Sequence, residues 1–133
     1  MEARAVILAG PSGSGKSHLA ARLGWPVLRL DDFYHEGDQP SLPMSPLGLP
    51  DWDDVRSWDR VGAIRAMEDL CRTRTANVPV YDLARSARAG SHRIEVAGDR
   101  FIAEGLFAPD IVADCRDSGL LADAICLVRP RWL

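Results

Sequence analysis

Between Ala5 and Ala9 the chain is apolar without a break and carries the β-branched Val6 and Ile7. A short run of this kind suits a strand buried on both faces of a parallel sheet. From Lys16 to Leu23 the apolar positions Leu19, Ala20 and Leu23 recur at helical spacing, and Gly24 with Pro26 supplies a stop signal. Val27–Leu30 reads as a second strand, which completes a strand–helix–strand unit. Residues 37–50 hold Pro40, Pro43, Pro46 and Pro50 with little periodicity, so they are expected to form a loop, long enough that function or disorder accounts for it. Helical spacing returns from Ser57, a possible N-cap, to about Cys71 through Trp58, Val61, Ile64, Ala66 and Leu70. "PVYD" (79–82) reads as a strand end or an edge segment, and "SHRIEVAGDRFIAEG" (91–105) as two strands joined by a tight Ala-Gly-Asp turn, the second more buried. A short helix around Pro109–Asp117 and a strand at "DAICLV" (123–128) complete the pattern. Apolar strands alternating with helices predict a layered α/β fold with a mainly parallel sheet.

The 133 residues suit a single domain, with nearly half of them apolar. The net charge of −3, with sixteen Lys and Arg that are almost all arginine and form no block, argues against sequence-independent nucleic-acid binding. Cys71, Cys115 and Cys126 show neither disulfide nor metal spacing and read as reduced thiols. The apolar opening is short and runs into a Gly/Ser turn, so neither a signal sequence nor a membrane span is expected, and the location is read as cytoplasmic.

Candidate chemistry starts where the first strand ends. "GPSGSGKS" (10–17) fits G-x-x-x-x-G-K-[ST] and stands between a strand and a helix, where that motif belongs. Glycines let successive N–H groups turn toward one anion, and the following helix adds the positive end of its dipole. The expected nucleotide cradle is Gly10, Ser12, Gly13, Ser14, Gly15, Lys16, Ser17 and His18, with Lys16 on the β- and γ-phosphates and Ser17 on Mg²⁺. Asp31 and Asp32 follow "VLRL", and Glu104 ends "FIAE". At the carboxyl ends of parallel strands these acids would gather near the phosphates, to accept a hydroxyl proton or hold the metal. For Asp31 and Asp32 ordinary turn chemistry is the competing explanation. "PDWDDVRSWD" (50–59) alone reads as a helix entry with solvated acids, and His18, His35 and His92 have no partners at catalytic or metal spacing.

Taken in order, "GPSGSGKS", "LDDFY" (30–34), "PDWDDVRSWD", "PVYD" and "IAEG" (102–105) resemble the uridine kinase family of P-loop kinases over nearly the whole chain. The resemblance implies a three-layer P-loop kinase fold and transfer of the γ-phosphate of ATP or GTP to the 5′-hydroxyl of uridine or cytidine. It implies that Asp31 accepts the hydroxyl proton, that Tyr34 lies near the nucleoside and that Asp53 holds the ribose hydroxyls. It likewise places Tyr81 in the base pocket and makes Glu104, with Ser17 and Asp31, a magnesium residue. In "YDLARSAR" (81–88), Ser86 stands where the family pattern carries a base-contacting histidine, while Arg88 is kept for substrate binding. The acceptor is therefore a nucleoside or another small hydroxyl compound. The family pattern continues past "DAICLV" into an arginine-rich lid and a further strand, of which Arg129 and Arg131 would be the start. The expectation is a C-terminally incomplete kinase domain spanning 1–133, with the last strand and lid missing. The alternative is a nucleotide-binding module with little turnover. An energy-coupling ATPase lacks support, since no water-positioning residue stands beside a second strand-end acid.

Overall fold

The structure, a computed structural model, describes residues 2–11 and 14–128. Ser12 and Gly13 of the expected cradle, and Arg129 and Arg131 of the expected lid, lie outside the described residues.

Four strands form the main sheet: β1 (Arg4–Ala9), β2 (Val27–Arg29), β5 (Arg100–Glu104) and β6 (Leu121–Cys126). They lie in the order β2-β5-β1-β6, and every pairing is parallel. The apolar run of β1 is buried because β1 has neighbours on both edges and helices on both faces. Its side chains alternate with the two-residue period of a strand. Ala5 and Ile7 join the larger core, with Leu28, Phe101 and Ala103, beneath α2 (Arg60–Thr73) and α3 (Val112–Asp117). Val6 and Leu8, with Ile102, meet Leu19, Ala20 and Leu23 of α1 (Lys16–Leu23) and Trp25. Helix, sheet and helix make the three expected layers.

Two more strands, β3 (Thr75–Asp82) and β4 (Ala87–Glu95), pair antiparallel in a sheet of their own. The Ala-Gly-Asp stretch therefore joins β4 of one sheet to β5 of another, rather than turning a hairpin. Burial explains the separation. β4 has one buried residue, Ile94, while three of the five residues of β5 are buried, and a strand covered on both faces belongs inside the parallel sheet.

The long helix also starts later than the apolar spacing suggests. Its N-cap is Asp59, whose Oδ1 accepts from the Gly62 amide at 3.0 Å. A Cβ at position 62 would fall 2.4 Å from Asp59 Oδ2, so Gly62 makes room for the cap. Ser57 instead is fully buried at the end of a 3-10 turn (Val55–Ser57) and donates to the Asp54 carbonyl at 2.7 Å. The second strand is shortened too: Leu30–Phe33 form a 3-10 turn. Trp58 fixes that turn by donating from Nε1 to the Leu30 carbonyl at 2.7 Å in the core. The proline-rich loop closes on itself, with Ser45 N–H bonded to Leu49 O and Asp51 N–H to Pro43 O.

Candidate functional site

Gly10 leaves β1 with φ of 142°, a conformation that side chains resist. A Cβ there would lie 2.6 Å from the Leu127 carbonyl oxygen and 2.9 Å from Ser14 Oγ. The turn is thus pressed against the end of β6, where Leu127 N–H donates to Ala9 O at 2.8 Å. Gly15, with φ of 97°, is the N-cap of α1 and offers no side chain to its first-turn amides. Ser14 Oγ is buried and has no hydrogen-bond partner among the described residues. Helix-start amides that no side chain caps among the described residues, the buried Ser14 hydroxyl and the chain's single lysine, Lys16, form a donor set for a polyanion.

Pro11, Gly15, Lys16, Ser17 and His18, together with Asp31 and Glu104, line a cavity of about 560 Å³. Strand register brings the two acids in. Arg29 of β2 pairs with Glu104 of β5, and the 3-10 turn carries Asp31 two residues beyond Arg29. Asp31 Oδ1 accepts from the Leu106 amide at 2.9 Å, and Oδ2 makes no hydrogen bond among the described residues. Gly105 permits this closeness, because a Cβ there would stand 2.8 Å from Asp31 Oδ1. Asp32 Oδ1 accepts from the Tyr81 amide at 3.1 Å. Both carboxylates therefore bind distant backbone rather than capping their own turn. Among the described residues no group of three His, Cys, Asp or Glu is arranged for a metal.

A second cavity, of about 200 Å³, is lined by Tyr34, Trp52, Tyr81, Leu83 and Ser86. Tyr34 meets Trp52 edge-on at 5.7 Å between centroids and lies 5.8 Å from the Tyr81 ring. Burial, then the charges of Asp31 and Asp53, push the Tyr34 hydroxyl up to about 12. Burial, followed by Glu36, likewise raises Tyr81, so both phenols stay protonated at neutral pH. Tyr81 donates its hydroxyl to the His35 carbonyl at 2.9 Å.

Two sequence candidates stand apart from these cavities. Asp53 is exposed and lines neither of them, although its charge reaches Tyr34. Arg88 pairs with Asp59 Oδ2 at 3.1 Å, holding β4 to the start of α2. Trp52 and Leu83 are cavity residues that sequence reasoning did not single out. Trp52 sits in "PDWDD", where a helix entry reads as an anchoring tryptophan, and Leu83 falls in a hairpin tip without periodicity.

The Asp59 pair carries a pH-dependent prediction. Burial works against its ionisation, but the Gly62 amide and Arg88 outweigh it, and the carboxyl ends below its ordinary value. A depressed folded value means stability present above the unfolded carboxylate pKa, about 3.9, and lost as pH falls through the folded one. Asp59→Ala is expected to cost about 1–2 kcal/mol at pH 7. Denaturant melts of parent and variant should converge below about pH 4. A gap that stays constant down to pH 2.5 would refute the charged cap.

No protein-family profile matches the chain. It is 27% identical over 106 residues to a uridine kinase of Macrococcus caseolyticus (strain JCSC5402), covering 76% of this chain and 52% of that protein. It is 28% identical over 107 residues to the inorganic pyrophosphatase TTM2 of Arabidopsis thaliana, covering 76% of this chain and 15% of that protein. The chain thus spans about half the length of the curated uridine kinase. Among solved structures, a candidate fructose transport system kinase from Silicibacter sp. TM1040 superposes with a TM-score of 0.71 at 24% identity, covering 97% of this chain and 66% of that one. A candidate uridine kinase from Bacillus stearothermophilus gives 0.68 at 18% identity, covering 99% and 74%. These likenesses carry the fold. Among the described residues no helix is long and apolar enough to cross a membrane. In sequence the chain is similar to a uridine kinase over three quarters of its length, and its fold is that of the solved kinases it superposes on.

Proposed function

We propose that the chain transfers the γ-phosphate of ATP or GTP to a hydroxyl of a nucleoside or a similar compact ring-bearing alcohol. One observation carries this reading. The segment Leu30–Tyr34 carries Asp31 into the cavity of Lys16 and Ser17, and Tyr34 into the aromatic cavity. An alcohol whose ring sat against Tyr34, Trp52 and Tyr81 would lie three residues along the chain from the carboxylate that lines the cavity of Lys16.

In the transfer, the acceptor oxygen bonds to the γ-phosphorus as the bond to the β–γ bridging oxygen breaks. Asp31 takes the hydroxyl proton, and the nucleoside diphosphate leaves. Lys16 and the helix-start amides hold the phosphate charge. Ser17 and Glu104 are the residues that would hold Mg²⁺, which leaves the Asp31 oxygen that Leu106 N–H does not engage to take the proton. The ion would supply charge neutralisation at the transferring group.

Titration calorimetry and a product screen test the reading. Mg·ATP should bind the parent, and Lys16→Ala should bind it at least about tenfold more weakly. A phosphorylated product should appear from at least one compound in a panel of nucleosides and small ring-bearing alcohols. Binding without product across the panel would leave a nucleotide-binding module and overturn transfer.

A further inference from the structure

The tip of the β3–β4 hairpin separates two cavities, and Trp52 and Ser86 line both. The inner one is the aromatic cavity. The outer one, of about 420 Å³, is lined also by Glu36, Asp38, Pro50 and Arg85. Between them the hairpin tip touches the segment that follows Tyr34. Gly37 N–H donates to the Ser86 carbonyl at 2.7 Å. A Cβ on Gly37 would fall 2.9 Å from Ser86 Cβ and 3.4 Å from its carbonyl oxygen. Ser86 itself has φ of 48°, uncommon for a residue with a side chain. The Tyr81 hydroxyl, bonded to His35 O, ties the same hairpin to the same segment, and Tyr81 N–H, bonded to Asp32 Oδ1, ties it to the 3-10 turn just before.

We propose that the Gly37–Ser86 contact is a specificity latch. It holds the inner cavity shut against the outer one, so that compact ring-bearing alcohols are accepted and those with a bulky ring substituent are rejected. The proposal rests on the acceptor reading above and adds the element that sets acceptor size. Both sides of the contact are main chain or Cβ, so no rotamer change can relieve a clash there. Gly37 lies outside the left-handed region, and a methyl at that position acts only through Ser86. Removing the Ser86 side chain leaves that methyl facing the carbonyl at 3.4 Å, an ordinary contact, and glycine suits the backbone at 86.

The test compares the parent with Gly37→Ala, with the double variant Gly37→Ala/Ser86→Gly, and with Gly98→Ala, where a methyl meets open space. The acceptors are uridine and uridine carrying a benzyl group on ring position 5 or on ring nitrogen 3. Gly37→Ala should raise KM for uridine about tenfold, with kcat changed less than about threefold. Its preference for uridine over the benzylated compounds should shrink, and amide exchange over residues 84–87 should accelerate. The double variant should return all of these toward the parent, and Gly98→Ala should match it. Unchanged KM and selectivity in Gly37→Ala, or no recovery in the double variant, would overturn the latch alone. A parent that phosphorylates neither these nucleosides nor any compound of the wider panel would overturn the acceptor reading and the latch with it, whereas one that accepts only other alcohols of the panel would overturn the latch alone.

Discussion

Asp31→Asn should lower kcat by about 10²–10⁴ while Mg·ATP affinity stays within about threefold of the parent. The substitution is nearly isosteric, and the amide oxygen can still accept from Leu106 N–H, which Asp31 Oδ1 does at 2.9 Å. The turn should therefore stay in place, and what disappears is the capacity to take a proton. Asp32 provides the control. It lies one residue on, but its Oδ1 takes the Tyr81 amide, and it does not line the cavity of Lys16. Asp32→Asn retains an acceptor for that amide and should reduce kcat less than about tenfold, with any larger effect in KM for the acceptor. Steady-state kinetics with the alcohol identified by screening, together with calorimetry for Mg·ATP, separates the two acids. Equal losses from both variants, or full activity in Asp31→Asn, would remove Asp31 as the base.

Different parts of this architecture were legible in the sequence for different reasons. β1, α1 and the glycine turn could be read because burial, helical spacing and backbone chemistry agree within twenty residues. β5 was recognisable by its continuous apolar run. Its partner was not, because strand pairing is a long-range property: β5 lies between β1 and β2, while β4 pairs back to β3. The start of α2 was misplaced since Ser57 and Asp59 are both good caps, and the choice turns on space at Gly62 that only the folded backbone reveals. Asp31 and Asp32 were inseparable as neighbours in sequence. The 3-10 turn sends them to different partners 75 and 49 residues away. The ion pair of Arg88 with Asp59, 29 residues apart, is a long-range contact that no local pattern announces. Lys16, Ser17, Asp31 and Glu104, by contrast, converge because parallel strands deliver their ends to one side of a sheet.

That convergence depends on how tightly the glycine turn leaves the sheet, so Gly10→Val is expected to damage stability and nucleotide binding together. Valine must adopt φ near 142° or change it, a strain of about 1–3 kcal/mol. Its Cβ also starts 2.6 Å from the Leu127 carbonyl oxygen, which is main chain and cannot rotate away. Relief requires the end of β1 to separate from β6, at the Leu127–Ala9 hydrogen bond, or the turn to lift away from Ser14. Overpacking of this kind adds about 1–3 kcal/mol. The combined loss in denaturant melts should be about 2–6 kcal/mol, with Mg·ATP binding weakened at least about 100-fold. Gly15→Ala isolates the first term. Its φ of 97° carries strain, but its methyl would meet nothing within 4 Å. It should lose about 1–3 kcal/mol, with less harm to binding than Gly10→Val. If Gly10→Val melts and binds like the parent, the close approach of β1's exit to β6 does not hold, and the phosphate cavity is shaped by something other than this turn.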